Sequence, residues 1–246
     1  MNGTWREHAV AGKRVEVYTP PGGAAARFAV LYLHSGGLET LAGQDAFTRL
    51  FDELRLACVC PHGGMSWWAD RRCAEFDPAL TPERWLLDSV MPFLRSELGF
   101  APPAVGLLGV SMGGQGALRL AFKHPKTFPV VAAIAASIEF QNWYGLGYAL
   151  DQMYDSKEQA RQDTALLHIH PNDYPSHVWF RVDPTDREWW RGNDRLHEKL
   201  AALGVPHHCD LTTRAGGHSW DYFNAMAEDA VRFLDAGLSE MARRLL

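Results

Sequence analysis

The runs FAVLYLH (28–34), LACVCP (56–61), VGLLGV (105–110) and VVAAIAA (130–136) are apolar almost from end to end. A strand with one face in water alternates apolar and polar residues, so strands without a polar face must be covered on both sides, as in a parallel sheet between two helical layers. VEVYT (15–19), HVWFRV (177–182) and HHCDLTT (207–213) extend the set of strands. Between these runs, residues 82–98, 113–124, 191–203 and 220–237 repeat apolar positions at three-and-four spacing. Such alternation predicts an α/β fold with a mostly parallel central sheet flanked by helices on both faces. Thr81 before Pro82 reads as an N-cap followed by proline at the first helical position, and Gly99 and Gly204 read as helix terminators. Residues 139–176 have weaker periodicity and several aromatic residues, which predicts an irregular, cap-like insertion within one domain spanning 1–246.

The 246-residue chain, 47% hydrophobic and 22% charged, is large enough to bury a core without staples. A net charge of −5 argues against a nucleic-acid partner, which selects for a basic stripe. The N-terminal stretch lacks the basic start and apolar run of a secretory signal, and no segment reaches the roughly 18 apolar residues of a membrane helix. A cytoplasmic location without membrane association is therefore expected. Cys58, Cys60, Cys73 and Cys209 form no CxxC pair and read as small hydrophobes. His168 and His170 have a chelating spacing with no convincing third ligand, and no phosphate-binding glycine loop is present, so no metal or other cofactor is expected. The oligomeric state is not legible.

The pattern Gly109-Val110-Ser111-Met112-Gly113 follows an apolar strand and precedes a helix. So sharp a strand-to-helix turn forces Ser111 into a strained conformation and exposes its hydroxyl at the strand's carboxyl end, under the positive end of the helix dipole. A serine hydroxyl needs a base to take its proton, and the base needs a carboxylate to orient it. In sheets of this type the chain order is serine, acid, histidine. His218, in a loop opened by Gly216 and Gly217, is the candidate base. Asp186 is the favoured acid, with Asp183 as the alternative three residues earlier. A developing oxyanion needs amide donors. Met112 supplies one, and the glycine turn after FAVLYLH supplies the other, with Gly37 favoured and Gly36 close behind. Trp67, Trp68 and Trp143 are candidate pocket residues, and so is Gly36.

YLHSGG, GVSMGGQGAL, DPTD and GGHSW together make the chain resemble α/β-hydrolases of the esterase D and S-formylglutathione hydrolase-like group, relatives of mycolyltransferases and some feruloyl esterases. The resemblance spans residues from about 13 to 236. It implies the α/β-hydrolase fold, a triad of Ser111, Asp186 and His218, oxyanion amides at Gly37 and Met112, and cofactor-free hydrolysis of a small-molecule carboxylic ester. Thioester hydrolysis, as in S-formylglutathione hydrolases, and acyl transfer to an alcohol or sugar are the alternatives. A non-catalytic binding protein on the same fold is a remote one.

Overall fold

The computed structural model describes residues 3–22 and 25–244, so the ends of the expected 1–246 span lie outside the described residues. The strands are β1 (Thr4–Val10), β2 (Lys13–Thr19), β3 (Phe28–Leu33), β4 (Leu56–Pro61), β5 (Val105–Val110), β6 (Val130–Ile134), β7 (His177–Arg181) and β8 (His208–Asp210). They form one sheet in the order β1-β2-β4-β3-β5-β6-β7-β8, parallel from β4 through β8, with β2 antiparallel to both of its neighbours. The helices are α1 (Asp45–Leu54), α2 (Pro82–Trp85), α3 (Met91–Leu98), α4 (Met112–Lys123), α5 (Leu150–Met153), α6 (Lys157–Gln162), α7 (Trp190–Ala202), α8 (Trp220–Ala225) and α9 (Ala227–Arg243).

The strand sequences explain the layers. Along β3, Ala29, Leu31 and Leu33 point into one core, which α2, α3, α4 and α7 close through residues such as Trp85, Leu94, Leu120 and Leu196. Val30 and Tyr32 point the other way, against Phe47, Leu50 and Phe51 of α1 and Val231 and Leu234 of α9. Period-two alternation thus feeds two apolar faces at once, which is why the strand shows no polar side. None of the described helices is long and apolar enough to cross a membrane.

The predicted helix over 82–98 is divided. A π turn at Leu86–Val90 separates α2 from α3, and Pro92, which has no N–H to give back along the helix, sits just past it. The expected helix over 220–237 is also split, at Met226, and its second part runs on to Arg243. Gly237, the last residue of the expected helix, packs inside α9, where a Cβ would come within 2.8 Å of Val130. The strand expected over 207–213 shortens to His208–Asp210 because Asp210 turns the chain by accepting bonds from Thr212 and Thr213. Two elements fall outside the sequence reading. β1 alternates too weakly to stand out, and α1 carries a helical spacing of Phe47, Leu50, Phe51 and Leu54.

β3 pairs with β4 on one side and β5 on the other, so the chain leaves the sheet in opposite directions at their carboxyl ends. Such a switch point opens a crevice for a ligand. The 139–176 segment forms two short 3-10 turns together with α5 and α6, and it is tied to α4 through buried polar bonds. Gln115 accepts the Ala165 N–H at 2.7 Å, and the Arg119 guanidinium binds Asp163.

Candidate active site

Ser111 is the one residue between the end of β5 and the start of α4, and it turns the chain with φ 54° and ψ −119°. Left-handed backbone at a side-chain-bearing residue costs ~1–3 kcal/mol and persists only where the surroundings enforce it. Here the enforcement is close packing. Gly113 lies so near the carbonyls of Leu33 and His34 that any Cβ would collide with them. The start of α4 is thereby pressed against the end of β3, and Ser111 lines one cleft with the glycine turn that follows β3.

His218 Nε2 lies 2.8 Å from Ser111 Oγ, and His218 Nδ1 lies 2.7 Å from Asp186 Oδ2. A carboxylate only accepts, so Nδ1 carries the proton and Nε2 is left to receive the Ser111 O–H. Asp186 is 4% exposed and its second oxygen accepts the Trp189 N–H at 3.1 Å. Asp183, the alternative acid, does not face the imidazole. Its Oδ1 accepts the Thr185 N–H and O–H at 2.7 and 2.6 Å, and its Oδ2 accepts the N–H groups of Ala215 and Gly217 at 2.7 and 2.9 Å. Burial alone would raise this carboxyl, but the bonds from Thr185, Ala215 and Gly217 hold it well below the usual range. Asp183 thus ties the loop that carries Asp186 to the loop that carries His218.

Gly36 and Gly37 of the glycine turn both line the cleft beside Ser111. The Gly37 N–H is donated to Ser35 Oγ at 3.1 Å. Among the described residues, the N–H groups of Gly36 and Met112 have no hydrogen-bond partner; Met112 follows Ser111 in the chain, and Gly36 lines the cleft with it. The turn is held from behind by His34, whose Nδ1–H is given to the Ser35 carbonyl at 2.8 Å and whose Nε2 accepts the Gly63 N–H at 2.9 Å. Burial lowers the His34 pKa to about 4, so the ring stays neutral.

Trp67 and Trp68 do not line the cleft, contrary to expectation. They are 1% and 0% exposed, because two adjacent left-handed residues turn both indoles inward. Trp68 instead donates its Nε1–H to the His34 carbonyl at 3.1 Å, and so braces the glycine turn. Trp67 stacks on Phe140 and lies edge-on behind Trp143. Trp143 itself reaches the cleft, stacked on Tyr148 at 4.6 Å, and Gly36 borders it. The cleft, about 430 Å³, is completed by Met65, Trp220 and Phe223, with Glu39 at its edge. The sequence reading missed Trp220 and Phe223, although both follow His218 closely enough to share its end of the sheet. It also missed Ser137, whose Oγ lies 3.2 Å from Ser111 Oγ.

A mostly parallel sheet with a strand–serine–helix turn at its switch point, and histidine and acid on later loops, is the α/β-hydrolase fold. The family model described as "Putative esterase" matches residues 12–234, and the chain belongs to that family of esterases. Solved structures bear out the fold. An S-formylglutathione hydrolase from Agrobacterium tumefaciens superposes with a TM-score of 0.79 at 15% identity, covering 97% of this chain and 100% of its own. Fluorophosphonate-binding serine hydrolase F of Staphylococcus aureus gives 0.77 at 16%, covering 96% and 99%. A ferulic acid esterase gives 0.78 at 15%, covering 96% and 98%. No curated protein matches the chain in sequence.

Proposed function

We propose that this chain is a single-domain serine esterase that hydrolyses neutral carboxylic esters carrying an aromatic group. The observation that carries the reading is the unbroken relay Ser111 Oγ, His218, Asp186, with separations of 2.8 and 2.7 Å. Ser111 Oγ attacks the ester carbonyl as its proton passes to His218 Nε2, and Asp186 stabilises the imidazolium that forms. The oxyanion is held by the amides of Met112 and Gly36, the free pair, at the positive end of α4. Collapse returns the proton to the leaving alcohol and leaves an acyl group on Ser111. Water then gives a proton to His218, attacks the acyl carbon and releases the acid.

Trp143, Tyr148, Trp220 and Phe223 give the cleft flat apolar walls suited to an aryl group, while the Glu39 carboxylate at its edge disfavours acyl carriers bearing several negative charges. That weighs for a neutral ester over a glutathione thioester. All four cysteines are unpaired, as a reducing compartment keeps them, which supports action in the cytoplasm. The test is turnover of p-nitrophenyl acetate by wild type and Ser111→Ala. The variant loses at least ~10³-fold in kcat if the reading holds, and equal rates defeat it. Repeating the assay with an added alcohol distinguishes transfer, which yields a new ester, from hydrolysis, which yields the free acid.

A further inference from the structure

At the β8 edge of the sheet, away from the cleft, a second set of side chains converges. His207 and Cys209 are two residues apart along extended chain, the spacing that sends both side chains to one face, and α7 covers that face with His197. His197 Nδ1 is 2.8 Å from His207 Nε2 and 3.1 Å from Cys209 Sγ. The three atoms lie within 4.8 Å of one another, and all three residues are half-buried. They border a cavity of about 430 Å³.

The protonation pattern is constrained. His207 Nδ1 lies 2.8 Å from the Val205 carbonyl, which can only accept, so the proton sits on Nδ1 and Nε2 turns a lone pair toward His197 and Cys209. An imidazole fixed from behind by a backbone carbonyl is how metal-binding histidines are oriented. Hydrogen bonding alone uses the cluster poorly, because His197 Nδ1 holds one proton or one lone pair and faces two partners.

We infer that His197 Nδ1, His207 Nε2 and Cys209 Sγ form a zinc site with three protein ligands and a fourth position open to the cavity. One thiolate and two imidazoles suit Zn²⁺ and not the hard cations Mg²⁺ or Ca²⁺. Zn–N near 2.05 Å and Zn–S near 2.3 Å in a tetrahedron place ligand atoms ~3.3–3.6 Å apart, so each close pair opens by about half an ångström to admit the ion. Binding forms two Zn–N bonds and one Zn–S bond and releases the Cys209 thiol proton to solvent. Asp194 and Asp210 add negative charge near Cys209. The cation on the cavity wall, Arg181, is paired with Asp229 at 2.5 Å. An ion here joins α7, which starts four residues after Asp186, to β8, which leads toward His218. It therefore clamps the two segments behind the acid and the base. The inference stands apart from the esterase reading.

The test uses the whole chain, stripped by a chelator and titrated with Zn²⁺ against a chromogenic competitor, then with Co²⁺ to read thiolate-to-cobalt charge-transfer absorption. Wild type binds one equivalent of zinc and develops the cobalt band. Cys209→Ser abolishes the band and weakens zinc binding by more than ~100-fold, and His207→Ala weakens it likewise. Both metal-free variants keep the far-UV circular dichroism and the cooperative thermal melt of the metal-free wild type, which verifies folding. Wild type that takes up no zinc, or Cys209→Ser that binds as tightly as wild type, overturns the site. If either variant misfolds, the wild-type cobalt spectrum decides alone, and absence of the band overturns the inference.

Discussion

Asp183 and Asp186 stand three residues apart in one loop, and replacing each with asparagine produces opposite failures. In Asp183→Asn one oxygen becomes an amino group that must face donors, either the N–H groups of Ala215 and Gly217 or the two donors of Thr185. The site is 0% exposed, so no water substitutes. With the amino group toward Thr185, whose hydroxyl can turn to accept, the Thr185 N–H loses its acceptor at about 1.5–3 kcal/mol and the remaining bonds lose their charge, which sums to ~2–4 kcal/mol of stability. At roughly 2–4 °C per kcal/mol for a chain of this size, Tm falls by about 4 °C or more. The His218–Asp186 pair is untouched, so kcat measured well below Tm drops by less than ~100-fold.

Asp186→Asn does the reverse. Its oxygen keeps the Trp189 N–H while its amino group is presented to His218 Nδ1. Nδ1 must then accept, Nε2 carries the proton, and the base for Ser111 is gone. The expected loss is ~10⁴-fold in kcat, with a Tm change of about 3 °C or less. Thermal melts and p-nitrophenyl acetate kinetics on the two variants settle the matter. A kcat collapse in Asp183→Asn with near-normal rates in Asp186→Asn would refute the assignment of roles.

Gly116→Ala places a Cβ 2.5 Å from Trp68 Cβ, so the brace on the glycine turn must shift. Urea melts are expected to show a loss of ~1–3 kcal/mol, with kcat falling alongside. Stability also falls in acid. Burial would raise the Asp163 carboxyl, but bonds from His168, Arg119 and Tyr154 lower it to about 2. Its contribution, about 2–3 kcal/mol, is full above pH ~4 and is lost as the pH falls toward 2. Urea melts at pH 6 and pH 3 check this, and Asp163→Asn should reduce the difference by about 1 kcal/mol, the rest coming from other carboxylates held low, Glu83, Asp183 and Asp210. Trp143→Ala removes one aromatic wall of the cleft, so it raises KM for aryl esters several-fold more than for short alkyl esters in paired kinetic assays.

The sheet was legible because its strands have no polar face, and that pattern has few other physical explanations. The serine turn was legible because glycines bracket it. Asp186 was favoured in sequence as the acid, and the structure pairs it with His218, but the physical reason for the choice was not legible. Whether Asp183 or Asp186 meets His218 depends on which way a buried carboxylate turns, and the amides of Ala215 and Gly217 decide that from 32 and 34 residues away. Gly37 and Gly36 look alike in sequence, and the Ser35 hydroxyl separates them by occupying one amide. Trp67 and Trp68 read as pocket residues because loop aromatics near a strand end often are. Their left-handed backbone, invisible in sequence, turns them into the core. His197, His207 and Cys209 came together only through the packing of α7 on β8.

Covalent trapping tests the central claim most directly. The folded protein is treated with a fluorophosphonate, and the adduct is located by peptide mass mapping, with Ser111→Ala and His218→Ala in parallel. Wild type should take up one label per chain, on Ser111, while both variants remain unlabelled over the same time. Labelling at another residue, or equal labelling of Ser111→Ala, would contradict the account.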